Sequence, residues 1–253
     1  MTNVFITGAT GGIGSATAKK FAEPGTTVFL HTFQNVHAAE KLAEELRRAG
    51  AETKIIVADF SKENVAEDLH RQVSERGNTD VLVNAAGTDL MSSSVKKLPF
   101  DEKLQLLWQT DVRVPVQLAR LFAQEKKPPQ TIIFFSWNGA DYGWHGESAQ
   151  LYGTVKGALQ GFCRSFAGDT APNSRVCCLS LGWIKTRWGN AATDSTARKR
   201  QLDIYAADSR LNRWGTPEEI AEAVKLLADG KLSFLDGCRL FFDGGKNAGR
   251  FLC

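Results

Sequence analysis

No apolar stretch in this 253-residue chain reaches the ~20 residues that a membrane-spanning helix requires. The opening MTNVFITGATGGIG has neither the charged start nor the long apolar run of a secretion signal. A soluble, cytoplasmic protein is therefore expected, with no membrane partner. Cysteine is scarce: Cys163, Cys177, Cys178, Cys238 and Cys253 make an odd number without CxxC spacing. That pattern excludes a disulfide framework and a zinc site, so no metal is expected. Charge of one sign is also lacking, since 31 basic against 28 acidic side chains leave a formal +3. With no basic stripe interleaved with aromatics, a nucleic-acid partner is excluded too. Repeats, low-complexity tracts and linkers are absent, which makes residues 1–253 one domain.

What is present is alternation. Short apolar runs at 3–7, 27–32, 54–59, 81–87, 131–136, 175–182 and 238–245 are separated by helical patterns at 12–23, 36–49, 62–76, 101–125, 149–168 and 217–229. Continuous apolar runs are the mark of strands buried on both faces. The spacing predicts right-handed βαβ units, hence an α/β fold with a doubly wound parallel sheet, the Rossmann architecture. The last helix opens on Thr216-Pro217-Glu218-Glu219, an N-cap followed by proline and acids in the first turn.

Directly after the first run comes Thr7-Gly8-Ala9-Thr10-Gly11-Gly12-Ile13-Gly14, which leads into a helix. Glycines permit a tight turn, and a helix start offers free N–H groups and a positive dipole end to a pyrophosphate. The second run ends His31-Thr32-Phe33-Gln34-Asn35 without the acid that would bind an unphosphorylated ribose diol. NADP(H) is favoured over NAD(H), its 2′-phosphate resting on Thr32, Gln34, Asn35 or a protonatable His31 or His37. Further along, Tyr152 and Lys156 stand one helical turn apart on one face. An ammonium there favours phenolate and draws the tyrosine pKa down from about 10, towards use as a general acid or base.

In order, TGATGGIG (7–14), Asp59, NAAG (84–87), a serine ending the fifth strand, YGTVK (152–156), LGWIKT (181–186), RWGTPEEIA (213–221) and DGG (243–245) resemble the short-chain dehydrogenase/reductase family, and members like the β-ketoacyl carrier-protein reductases. The resemblance implies an oxidoreductase that interconverts a ketone, a 3-oxoacyl thioester included, and a secondary alcohol. Tyr152 would be the general acid/base, Lys156 would tune it and bind the nicotinamide ribose, and Ser136 would orient the reacting oxygen. Asp111 stands where the family commonly has an asparagine whose main-chain carbonyl links a water to the lysine. Thr7, Gly8, Gly12, Ile13, Gly14, Thr32, Asp59, Asn84, Ala85, Gly87, Gly182, Ile184 and Thr186 would join Tyr152 and Lys156 around the cofactor. The rivals are an NAD-dependent alcohol or polyol dehydrogenase and a non-catalytic dinucleotide-binding sensor or scaffold.

Three departures from the family pattern stand out. Ser136 precedes Tyr152 by 16 residues against the usual ~13 of the resembling proteins, so an insertion is placed within 141–148, with Ser148 as the rival serine. Asp111 brings a carboxylate near Lys156, and Leu181 replaces the proline expected before Gly182. Trp137, Trp144, Trp183 and Trp188 flank the expected site and suit either an aromatic-walled pocket for a small molecule or ordinary packing. His145 in the inserted loop is read as solvated. Residues 186–212 are where the resemblance puts a substrate lid. The basic run at 197–200, with Lys126, Lys127 and Arg164, suits an acyl carrier protein, but a solvated helix face is the preferred reading. Gly153, Gly157 and Gly161 form a helical stripe, explained equally by close packing within the chain or by a homodimer or homotetramer.

Overall fold

The computed structural model describes residues 2–90, 92–186 and 203–248. Most of the expected lid, with Trp188 and the basic run at 197–200, lies outside the described residues. Seven strands form one sheet: β1 (Thr2–Thr7), β2 (Thr26–Thr32), β3 (Glu52–Val57), β4 (Val81–Asn84), β5 (Thr131–Trp137), β6 (Arg175–Leu181) and β7 (Cys238–Phe242). Their order is β3-β2-β1-β4-β5-β6-β7, and every pairing is parallel. The order reverses between β1 and β4, which opens a crevice at the carboxyl ends of those strands.

Among the helices of the described residues are α1 (Gly12–Lys20), α2 (Val36–Arg48), α3 (Val65–Ser74), α4 (Ser93–Lys96), α5 (Phe100–Leu107), α6 (Val114–Ala123), α7 (Gly139–Tyr142), α8 (Glu147–Thr170) and α9 (Pro217–Ala228). The strands sort their side chains by parity. Phe5, Phe29, Leu82, Ile132 and Phe134 meet α3, α6 and α8, while Val4, Ile6, Val28, Leu30, Ile133 and Phe135 meet α1, α2 and α9. Both faces are thus sealed, as the unbroken apolar runs foretold. None of the described helices is long and apolar enough to cross a membrane.

One expected helix, 101–125, is interrupted. A π-helical turn over Trp108–Arg113 separates α5 from α6. Pro115 has no N–H to return to the Asp111 carbonyl four residues back, so the ladder widens there and Asp111 is turned into the interior, 2% exposed. At α9 the expected cap is complete: the Thr216 hydroxyl accepts from Glu219 N–H, and the Glu219 carboxylate accepts from Thr216 N–H. Arg213 grips the same carboxylate at 2.6 and 2.9 Å and holds Glu219 down at about 2. On α8, a Cβ added at Gly153, Gly157 or Gly161 would meet nothing within 4 Å. Among the described residues, nothing packs closely against the glycine stripe.

Candidate active site

Gly8, at φ +65°, lets the turn after β1 abut the turn after β4: a Cβ there would lie 2.7 Å from the Ala86 Cα. Gly14 seats the first turn of α1 on the same loop, since a Cβ would come within 2.3 Å of the Gly8 carbonyl oxygen. The N-cap of α1 is Gly11, and no side chain caps the helix. Its first N–H groups and dipole end are left for a ligand, and an anionic pyrophosphate is the chemistry they fit.

The loop is braced from β2. Gly8 N–H donates to His31 Nδ1 at 3.1 Å, so that nitrogen carries a lone pair, and Nε2–H faces the Ala58 carbonyl at 3.2 Å. The ring stacks on Phe60 with centroids 4.6 Å apart and is 3% exposed. Burial pushes its pKa down from 6.5 to about 4, against the opposing pull of the Ala58 carbonyl. His31 is thus a neutral strut. The expectation that it could supply a cation for a 2′-phosphate is overturned, because both nitrogens are committed and the ring is out of water.

Other expected cofactor residues converge on the same place. Thr7 accepts Ala86 N–H at 3.1 Å, and Thr32 shares a 3.1 Å hydrogen bond with Thr10. Asn84 donates to the Ile133 carbonyl at 3.4 Å while its buried Oδ1 has no partner. Asp59 accepts Ser61 N–H at 2.9 Å and caps the turn after β3. A Cβ on Gly12 would touch Thr186 Cγ2 at 3.0 Å, so the strand-six loop closes over the glycine loop. Gly182 N–H bonds the Phe242 carbonyl at 2.9 Å, and Ile184 bridges to Gly215. Ala85 and Gly87 flank Ala86, and Gly87 lies against the Asp111 carboxylate.

In the first half of α8 the catalytic candidates join a chain of polar contacts. Tyr152 donates to the Thr88 carbonyl at 2.8 Å, and Thr88 N–H donates to Asp111 Oδ2 at 2.9 Å. Asp111 Oδ1 in turn accepts from Lys156 Nζ at 2.8 Å. Asp111 and Lys156 side chains are 1% and 13% exposed, which makes this a buried ion pair. Asp111 thereby acts through its side chain, beyond the main-chain role expected of it. The Tyr152 hydroxyl is shifted up from its ordinary value, by burial first and then by the Asp111 and Asp89 carboxylates. The lysine was expected to draw it down. With its charge matched by Asp111, the balance runs the other way, and Tyr152 holds its proton.

Ser136 sits elsewhere. It continues the even-numbered face of β5 onto α8, where its hydroxyl donates to the Lys156 carbonyl and accepts from Gln160 Nε2, both at 3.0 Å. No hydrogen bond joins it to Tyr152 among the described residues. Gln160 also meets Arg239 from β7 at 2.8 Å, and Arg239 pairs with Asp141. The neighbour of Tyr152 is Trp137, edge-on with centroids 6.4 Å apart. Ser148, the rival serine, is exposed on the first turn of α8. Beyond the site, Trp144 carries His145 on one side and the Lys246 ammonium on another, and Lys246 pairs with Asp208. Trp183 stacks on Tyr205 at 3.9 Å and donates to Asp208 at 3.2 Å.

Sequence reasoning missed Thr88, Gln160 and Lys246. The first two carried a signal: Thr88 follows NAAG directly, and Gln160 lies four residues past Lys156 on the same helical face.

A family model described as enoyl-(acyl carrier protein) reductase matches residues 8–247. The oxidoreductase YmfI of Bacillus subtilis is 30% identical over 245 residues, covering 95% of this chain and 96% of that one. A short-chain dehydrogenase/reductase from Serratia marcescens superposes with a TM-score of 0.84 at 28% identity, over 98% of both chains. A short-chain dehydrogenase from Burkholderia cenocepacia, solved in complex with NADP, shares the fold at a TM-score of 0.85, with 23% identity over 98% of both chains.

Proposed function

The chain belongs to the short-chain dehydrogenase/reductase family of oxidoreductases, and within it we propose an NADP(H)-preferring enzyme that interconverts a ketone and a secondary alcohol. The observation that carries this reading is the chain of contacts joining Tyr152, Thr88, Asp111 and Lys156, reached from the glycine loop through the turn at 85–88. A protonated tyrosine suits the reductive direction, where its O–H donates to the carbonyl oxygen and then transfers its proton. Lys156 stands one helical turn from the phenol, and Asp111 with the Thr88 peptide would keep both side chains in place. The bound cofactor would supply the hydride at its nicotinamide ring. Gly12, Ile13 and Gly14 would receive its pyrophosphate on α1, and Thr7, Asn84, Ala85, Gly87, Ile184 and Thr186 would line the rest.

The preference for NADP(H) rests on what β2 lacks. With no acid among Thr32, Phe33, Gln34 and Asn35, nothing repels a 2′-phosphate there, and the neutral donors of that turn would hold it. The NADP complex of the Burkholderia relative agrees with this. The bare glycine stripe on α8 supports a homodimer or a homotetramer in which a second copy approaches that face closely. A titration of the purified protein with NADPH and NADH, read by protein-to-nicotinamide fluorescence transfer, tests the cofactor reading. Tighter binding of NADH would overturn it. Turnover of a ketone panel by wild type and by Tyr152→Phe then tests the chemistry. The rival reading, a dinucleotide sensor without turnover, is favoured by the resting bond from Tyr152 to Thr88 and would show no rate for either protein.

A further inference from the structure

We infer that Trp137, rather than Ser136, supplies the second hydrogen-bond donor to the substrate's carbonyl oxygen, through its indole N–H. The inference rests on the reductase reading and asks what a carbonyl would meet beside Tyr152. A ketone oxygen has two lone pairs and is stabilised by two donors as charge develops on it. Tyr152 provides one. Ser136 is the residue a sequence would nominate for the other, yet it is 4% exposed and its hydroxyl is engaged twice, with the Lys156 carbonyl and with Gln160. Its lone hydrogen is already given to a main-chain carbonyl. To reach substrate it would have to release the backbone of the catalytic helix.

Trp137 is the next residue of β5, half-buried, with its ring edge-on to the Tyr152 phenol. Among the described residues its indole N–H makes no hydrogen bond, and it is not among the buried polar atoms left without a partner. The N–H is therefore open to solvent on a ring that packs edge-on to the Tyr152 phenol, and so is free to donate to an acceptor on a bound ligand. The ring is also held in place. A Cβ on Gly139 would lie 2.2 Å from Trp137 Cζ2, so the glycine that opens α7 exists in the shape the indole needs. An indole donates and never accepts. With the Tyr152 O–H it would set two donors against a carbonyl oxygen. In the reductive step the Tyr152 O–H bond breaks and its proton joins the oxygen as hydride adds to carbon, while the indole keeps its proton.

The test compares Trp137→Phe, Gly139→Ala, Ser136→Ala and Tyr152→Phe with the wild type, using NADPH and a panel of aliphatic and aryl ketones. Trp137→Phe should lower kcat about 100-fold, the usual effect of deleting one such donor, with NADPH affinity within about twofold of wild type. Gly139→Ala, which leaves every donor in place but displaces the ring, should lower kcat in the same direction. Ser136→Ala should cost less than about tenfold, since only a tie within the fold is lost. A readout free of turnover is the binding of a simple aliphatic amide to the protein–NADPH complex, measured by calorimetry, because an amide carbonyl accepts hydrogen bonds but resists hydride. Trp137→Phe should weaken it about tenfold. A large loss on Ser136→Ala with little on Trp137→Phe would overturn the inference and leave the reductase standing. Equal amide binding by wild type and Trp137→Phe would overturn it as well. Ketone reduction surviving in Tyr152→Phe, or absent from wild type, would overturn the functional reading and this inference with it.

Discussion

The two sides of the crevice are held together by different physics. Around β1, β2 and β3 the ties are neutral: Gly8 to His31, His31 to Ala58, Thr10 to Thr32, Ala86 to Thr7. Around β5, β6 and β7 they are ionic: Lys156 with Asp111, Arg239 with Asp141, Lys246 with Asp208. A neutral scaffold suits the side that must receive a polyanion, because no fixed charge has to be moved or matched when the ligand arrives. The ionic side can set the proton affinity of a phenol, which a neutral scaffold could not do. Each buried charge there must keep its partner, since removing one member strands the other. The neutral side should therefore fail by steric insult or by protonation of the buried His31, and the ionic side by loss of a single charge.

The sharpest test of the ionic side is Tyr152→Phe. It removes one hydrogen bond to Thr88 and should leave folding and NADPH binding intact while lowering kcat about 10³-fold in a ketone-dependent NADPH oxidation assay. Next in size is a steric insult to the neutral side. Gly14→Ala drives a methyl into the Gly8 carbonyl and should raise the NADPH dissociation constant by about 100-fold, from an overpacking cost of about 3 kcal/mol. Unchanged affinity would mean that the loop is not as rigid as its contacts indicate.

A third test uses pH. His31 has a folded pKa of about 4 against an ordinary 6.5, so the unfolded chain takes up the proton first as pH falls. The stability tied to the neutral ring is fully present above 6.5 and is lost progressively towards 4. Denaturant midpoints at pH 7 and pH 5 should differ by about 2 kcal/mol from this source, and His31→Gln should flatten that slope. The smallest expected effect is on a pH profile. Asp111→Asn removes a charge that raises Tyr152, so the pH profile for alcohol oxidation should move to lower pH, while Lys156, left without its buried partner, should lower the denaturant midpoint. A profile that stays put would show that Asp111 acts on position alone.

What could be read from the sequence was what depends on near neighbours. The strands, the glycine loop, the Thr216 cap and the pairing of Tyr152 with Lys156 are each written within a few residues. The role of His31 was hidden because Gly8 and Ala58 reach it only through the pairing of β2 with β1 and β3. The ion pair of Asp111 with Lys156 spans 45 positions and depends on the turn that Pro115 forces. The contacts of Ser136, with Lys156 and Gln160 on α8, are not written in its spacing from Tyr152. Ile132 and Phe134 face the core beneath α8, and the next even residue does the same.

One chain of contacts also sets an order of assembly. Arg239 holds Gln160, Gln160 holds Ser136, and Ser136 holds the main chain at Lys156. On a translating ribosome, α8 emerges with both catalytic side chains long before residue 239 does. The helix can form early and pack on β5 and β6, but Gln160 gains its Arg239 partner only when β7 has left the tunnel and taken its place at the sheet edge.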